Sequence, residues 1–296
     1  MRKSFAQAMV QAAENPEIFF FTVDVGFMAL EEVRDAFGER FVNAGVAEQN
    51  LIGVSAGMAR EGYKVFSYSI APFLYARPFE QIRNDICFSN LPVCLVGNGG
   101  GYAYGHMGPT HHALEDCAAM CALGVRVLAP AFDEDIAQMI KDIHGPTYLR
   151  LGYDARPSGF PVAAYSPWRK ILDGNHGVLA ALGPLSGVAL AAFAECDLEI
   201  RPSVWAVCEL GDDVVPEVFW KTIPGSDFYV IEEHVAAGGL GMQLAHSFMK
   251  RGIQPSCFHH RYALGYPSGT YGSQEFHRKQ CGLDRESLQS LFFRKL

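Results

Sequence analysis

The 296-residue sequence has no Cys-x-x-Cys pair, no run of Lys and Arg, and no apolar stretch long enough to cross a bilayer. Each gap closes a class of function. The eight cysteines stand singly, at Cys87, Cys94, Cys117, Cys121, Cys196, Cys208, Cys257 and Cys281, so neither structural zinc nor a disulfide framework is expected. Cys117 and Cys121, in an apolar helical pattern, read as buried thiols. Lys+Arg 24 against Asp+Glu 32 leaves a formal charge of −8, which disfavours nucleic acid and anionic membrane surfaces as partners. The stretch from Met1 to Pro16 lacks the apolar core and small-residue cleavage site of a signal peptide, so the cytoplasm is the expected compartment. With 49% hydrophobic and 19% charged residues, the chain can bury a substantial core. The prior of one domain per ~100–200 residues gives two, or at most three, domains.

What is present is alternation. Apolar, β-rich runs at 17–23, 40–43, 64–69, 92–97, 125–129 and 147–151 are separated by helical patterns at 44–60, 73–88, 113–123 and 133–143. Strands alternating with helices imply a parallel sheet covered on both faces. Between Tyr153 and Trp168 the pattern stops at Pro157, Gly159, Pro161 and Pro167. Proline fixes φ and removes a donor, so this stretch cannot lie inside a sheet. The chain therefore divides into a first domain at 1–155, a linker at 156–170 and a smaller domain at 171–296. There, strands at 177–182, 204–207 and 228–232 and helices at 185–196 and 239–250 resume the alternation. The expected class is α/β, with two doubly wound domains.

Three segments carry chemistry. In Phe41-Val42-Asn43-Ala44-Gly45-Val46-Ala47-Glu48-Gln49-Asn50, a strand ends, a glycine turns, and a carboxylate enters the first turn of a helix of small residues. Glu48 there reads either as a complement to the helix dipole or as a group aimed at a ligand. The segment Ile70-Ala71-Pro72-Phe73-Leu74-Tyr75-Ala76-Arg77 follows a strand and opens a helix. It thus lies at the carboxyl edge of the sheet, where open α/β sheets bind ligands. Phe73 is either core or a stacking platform, and Arg77 either a solvated charge or an anion contact. The third segment strings Gly99, Gly100, Gly101, Gly105 and Gly108 ahead of His111 and His112. Its spacing matches neither a Walker nor a dinucleotide loop. Adjacent histidines face different ways, which disfavours a metal pair but suits one acid/base or donor imidazole.

In this order, Gly-Val-Ala-Glu-Gln-Asn (45–50), Phe-Glu-Gln-Ile-Arg-Asn (79–84), and Gly-Pro-Thr-His (108–111) with Leu-Glu-Asp (114–116) resemble the pyrimidine-binding domain of thiamine-diphosphate enzymes. The resemblance is closest to the second half of transketolases split into two polypeptides. Glu232-Glu233-His234 and Gly238-Gly239-Leu240-Gly241 resemble that family's C-terminal domain. The resemblance implies ketol or acyl transfer through a C2 ylid of thiamine diphosphate, shared with a partner subunit. It implies Glu48 and His111 as catalytic residues, Glu48 against N1′ of the pyrimidine and His111 near the reacting carbon. It puts Phe73 on the pyrimidine ring, with Ile70 and Arg77 also at the cofactor. His106, Met107, His112, Tyr153, Phe27 and His234 are the implied substrate contacts. The family's Gly-Asp-Gly…Asn signature for Mg²⁺ is matched no better than by Gly211-Asp212-Asp213, and no asparagine follows Asn175. No metal ligand is therefore expected in this chain; Mg²⁺ belongs mainly to an N-terminal-half partner, in an α₂β₂ assembly.

The sugar-phosphate signature departs from the family. Gly105-His106-Met107 stands where transketolases carry Gly-Glu-Asp, Gly99 where they carry a histidine, Tyr153 near their phosphate arginine, and Val25-Gly26-Phe27-Met28 in place of a serine loop. Arg77 and Arg150 are the local cations left to grip a dianion. The expected substrate is accordingly a small molecule other than an ordinary phosphorylated ketose. Two further readings stay open: a β-like subunit of a 2-oxo acid dehydrogenase, and a non-catalytic scaffold subunit.

Overall fold

Parallel pairing organises the first half of the chain. In the computed structural model, which describes residues 1–293, strands β1 (Ile18–Thr22), β2 (Phe41–Asn43), β3 (Lys64–Ile70), β4 (Val93–Asn98), β5 (Arg126–Leu128) and β6 (Thr147–Leu151) form one sheet of order β2-β1-β3-β4-β6-β5. Every pairing in it is parallel. Every residue of β4 and β6 is buried, which is why these strands read as continuous apolar runs rather than alternating ones. The chain leaves β1 for β2 on one side and returns past β1 to β3 on the other. That reversal opens a crevice at the carboxyl ends of β1 and β3.

The second half adds β7 (Trp168–Leu172), β8 (Val178–Leu182), β9 (Ser203–Val207), β10 (Asp227–Ile231) and β11 (Cys257–Arg261), in the order β11-β10-β8-β9-β7. All pairings are parallel except β7 with β9. The edge strands β7 and β11 are absent from the sequence pattern. Polar residues interrupt both, Arg169 and Lys170 in β7 and His259, His260 and Arg261 in β11, so neither produces an apolar run.

Two helical patterns begin or break later than their periodicity suggests. The helix expected over 44–60 is Glu48–Arg60. Asn43 Oδ1 accepts from the Gly45 amide (3.0 Å) and Gly45 turns at φ 70°, so the first four residues form a turn instead. The helix expected over 73–88 splits into Ala71–Ala76, the single turn Phe79–Gln81 and a wider turn at Ile82–Cys87. Pro78 has no N–H to continue the first segment, and it constrains Arg77 before it.

The two sheets meet through one half-buried and one buried ion pair as well as apolar packing. Arg126 makes a bidentate contact with Glu209 (2.7 and 2.8 Å), Arg169 pairs with Asp135 (2.7 Å), and the Ala129 amide donates to Cys208 O (2.8 Å). No helix among the described residues is long and apolar enough to cross a membrane.

Candidate active site

The crevice gathers side chains from three consecutive strand ends. Glu48 is the first helical residue after β2, Phe73 and Arg77 belong to the segment after β3, and His111 follows β4. The Glu48 carboxyl is only 5% exposed, and its Oε1 accepts from Arg77 Nη1 at 2.7 Å. The Arg77 guanidinium carbon lies 3.9 Å from the centroid of the Phe73 ring, over its face. Gln49 Nε2 donates to Arg77 O (3.4 Å), tying the helix of Glu48 to the break at Pro78. On another side of Phe73, the His111 imidazole approaches edge-on, with centroids 5.1 Å apart, and its Nδ1 pairs with Thr110 Oγ1 (2.9 Å). Phe73 is half-buried; the core position of this turn is Leu74.

This geometry carries a chemical signature. A flat, cationic N–H donor, the Arg77 guanidinium, is hydrogen-bonded to a buried carboxylate and stacked on an aromatic ring. Those are the two contacts an aminopyrimidine makes, so Glu48 and Phe73 fit the ring half of thiamine diphosphate. The diphosphate half has no such match: Asp212 of the Gly211-Asp212-Asp213 segment accepts from Arg251 (3.2 Å) within the second domain.

Comparison with known proteins identifies the family. Residues 1–153 match the transketolase pyrimidine-binding domain family. The chain belongs to the transketolase family. Over 274 residues it is 30% identical to one of the named subunits of the apulose-4-phosphate transketolase of Actinobacillus succinogenes, covering 86% of this chain and 84% of that one. It is 35% identical over 251 residues to the protein of the same name in Phocaeicola vulgatus, covering 81% and 80%. A solved structure titled "Split gene transketolase, inactive beta4 tetramer" superposes with a TM-score of 0.84 at 28% identity, over 99% of this chain and 97% of that one. The chain is therefore a C-terminal-half subunit of a split transketolase.

Other site residues sort by burial. Ile70 ends β3 at the same edge, one turn before Phe73. His106 and Met107 are exposed in the turn Gly105–Met107, Tyr153 is exposed just past β6, and Phe27 is 85% exposed in the loop after β1. Phe27 lines a groove of about 620 Å³ with Thr22, Asp24, Leu30 and Asn43, next to the cluster but sharing no residue with it.

Two of the expected substrate contacts are corrected. His112 is buried, not substrate-facing: Nε2 donates to Gly105 O (3.0 Å) and Nδ1 accepts from Tyr266 Oη (2.7 Å), and burial lowers its pKa. Both nitrogens are spent clamping the glycine loop to the second domain. His234 is fully buried, with Nδ1 on Val235 O (2.7 Å) and Nε2 accepting from the Ala118 amide (3.2 Å). It braces the junction rather than a ligand.

The glycine loop itself is packed by protein. A side chain at Gly99 (φ 84°) would collide with the Tyr104 ring, and one at Gly101 (φ 66°) with Glu233. Arg150, expected as a candidate phosphate ligand, is instead buried, with Nε on Asp116 (2.7 Å) and Nη2 on Ala113 O and Glu233 O (both 2.9 Å). The sequence reading missed Asn98, which ends β4 and donates to Tyr104 Oη at 2.6 Å, setting that phenol 6.1 Å from His111, centroid to centroid. An amide closing an otherwise apolar strand was the available signal.

Proposed function

We propose that the chain is the pyrimidine-holding subunit of a two-polypeptide enzyme that makes or breaks carbon–carbon bonds by ketol or acyl transfer. Thiamine diphosphate, when bound, supplies the carbon nucleophile for that transfer. The observation that carries the reading is the Glu48–Arg77–Phe73 stack at the carboxyl edge. Glu48 would hydrogen-bond a ring nitrogen of the bound cofactor, Phe73 would fix the ring plane, and Arg77 would keep the Glu48 carboxyl turned toward it. His111, packed edge-on against Phe73, would serve near the reacting carbon as hydrogen-bond donor or acid/base. Ile70 and the exposed apolar tips Phe27, Met28 and Val46 exclude water once a partner covers the crevice.

That partner is an N-terminal-half subunit that brings the diphosphate and Mg²⁺ ligands, in an α₂β₂ assembly. The relatives named as single subunits of a transketolase, and the related β-only tetramer titled inactive, support a requirement for it. The relatives favour the transketolase branch over a 2-oxo acid dehydrogenase subunit, and the intact Glu48–Phe73–His111 cluster speaks against a silent scaffold.

The donor we propose is a small 2-oxo acid or unphosphorylated ketol, with a partly apolar acceptor. Arg77 and Arg150 are both engaged within the chain, and Met107, His106, Tyr153 and Phe27 border the mouth instead of anion ligands. The decisive experiment reconstitutes the chain with its partner and screens donors. Turnover of 2-oxo acids or free ketols is expected. Efficient use of xylulose 5-phosphate, or of the apulose 4-phosphate for which the relatives are named, overturns the donor assignment. Reductive acylation of a lipoyl domain overturns the transketolase assignment.

A further inference from the structure

The amino edge of the second sheet, opposite in polarity to the catalytic edge, holds a second concentration of chemistry. Asp227 opens β10 and Cys257 opens β11, and the parallel register pairs them directly. His259 lies two residues beyond Cys257, paired with Tyr229. Side chains two apart on a strand share a face, and registered residues of parallel neighbours share it too. Carboxylate, thiol and imidazole therefore project together, and their ligand atoms all lie within 4.8 Å of one another. The His259 ring is stacked on Tyr229, with centroids 4.6 Å apart and planes 16° from parallel, which limits its orientation. All three residues are half-buried, so an ion can reach them from solvent.

We propose that Asp227, Cys257 and His259 form a binding site for a borderline-soft divalent transition-metal ion of the zinc class. The donor set of one sulfur, one imidazole nitrogen and one carboxylate oxygen suits tetrahedral coordination with the fourth position left to water. An oxygen-seeking ion such as Mg²⁺ finds too few hard ligands there. Bond lengths of about 2.0–2.3 Å place tetrahedral donors roughly 3.3–3.6 Å apart, a closure that rotation about the side-chain bonds provides. Binding forms a metal–sulfur bond and releases the thiol proton to solvent. The ion pins the edge strand β11 to β10. This site revises the expectation that the chain carries no metal ligands. Cysteine spacing alone could not reveal it, because the third ligand arrives from another strand through sheet register.

The test is titration of the reduced, chelator-treated full chain with Co²⁺. One equivalent should produce a sulfur-to-cobalt charge-transfer band and the visible bands of tetrahedral cobalt, both abolished by Zn²⁺ and untouched by Mg²⁺. Cys257→Ser should remove the charge-transfer band. His259→Gln and Asp227→Asn should each weaken binding at least as much as losing an outer-shell partner does, about 10–100-fold. Zn²⁺ should raise the melting temperature of the wild-type chain and leave that of Cys257→Ser unchanged. Circular dichroism confirms that each variant is folded; if Cys257→Ser is not, the two other variants carry the test. Absence of saturable cobalt binding, a band that survives in Cys257→Ser, or unchanged affinity in both His259→Gln and Asp227→Asn overturns the proposal.

Discussion

Two arginine–carboxylate pairs in this chain have the same length and opposite settings. Arg150 meets Asp116 at 2.7 Å with both side chains enclosed, and Tyr148 Oη adds a further bond to Asp116 (2.8 Å). Arg77 meets Glu48 at 2.7 Å with its own side chain 45% exposed. The first pair is walled in by two domains and has nowhere to go. The second opens to solvent on the arginine side, so the carboxylate is sequestered while its partner remains within reach of a ligand. Identical contacts serve as a brace in one place and, under the proposed function, as part of a binding surface in the other, with burial of the cation as the difference between them.

Mutations at the two pairs should separate these roles. The largest expected effect is Arg150→Met, which leaves Asp116 buried without its cation. Chemical denaturation should report a loss of about 3–5 kcal/mol, and a loss below ~1 kcal/mol would mean that the junction rearranges around it. Next comes Glu48→Ala, which should cut turnover of the reconstituted enzyme by at least ~2–3 kcal/mol of transition-state stabilisation. Its melting temperature should stay near that of wild type. Residual turnover within about tenfold of wild type, or ~1.4 kcal/mol, removes Glu48 from the chemistry. Arg77→Ala should cost less than ~1 kcal/mol in folding, as for other half-exposed pairs. It should weaken thiamine diphosphate binding to the reconstituted pair by about tenfold, or ~1.4 kcal/mol, measured by calorimetry. Tighter binding would sharpen the comparison differently, by making the guanidinium a plug that the pyrimidine has to displace.

The smallest expected effect concerns the clamp between glycine loop and second domain. Burial lowers the pKa of both His112 and His277, whose neutral rings bond Gly105, Tyr266 and the Gly272 amide. The unfolded chain binds these protons more readily than the folded one. Stability from the neutral rings is therefore complete above the ordinary histidine pKa of about 6.5 and declines as the pH falls below it. The other titratable groups facing the clamp are Glu233, His106 and His111, and Glu233 partly offsets the desolvation of both rings. Thermal melts from neutral to mildly acidic pH should show the decline, and His112→Gln should flatten it.

Much of this architecture is written in local sequence. Buried parallel strands such as β4 and β6 announce themselves as apolar runs, whereas the helix expected over 73–88 overran Pro78, where the chain breaks and Arg77 comes beside Glu48. The family resemblance singled out Glu48, Phe73, Arg77 and His111, and their places after strand carboxyl ends explain why the fold brings them to one edge. What sequence could not convey was direction. His112 and His234 look as available as His111, but only the three-dimensional arrangement turns their nitrogens onto Gly105, Tyr266, Val235 and Ala118. Arg150 was misjudged for the same reason, since its partner Asp116 lies 34 positions away. The edge strands β7 and β11 were invisible because hydrogen bonding to a neighbour, not hydrophobicity, makes them strands.

Glu233 reaches back from the second sheet to accept the Tyr102 amide at 2.7 Å, and the Gly105 turn rests on the backbone at 272–274. The segment presenting His111 is thus shaped from both ends of the polypeptide. A chimera that grafts a foreign carboxy-terminal half onto residues 1–153 would inherit the cofactor crevice but not the loop above it. Donor preference should travel with whichever half supplies the counterparts of Glu233 and Tyr266.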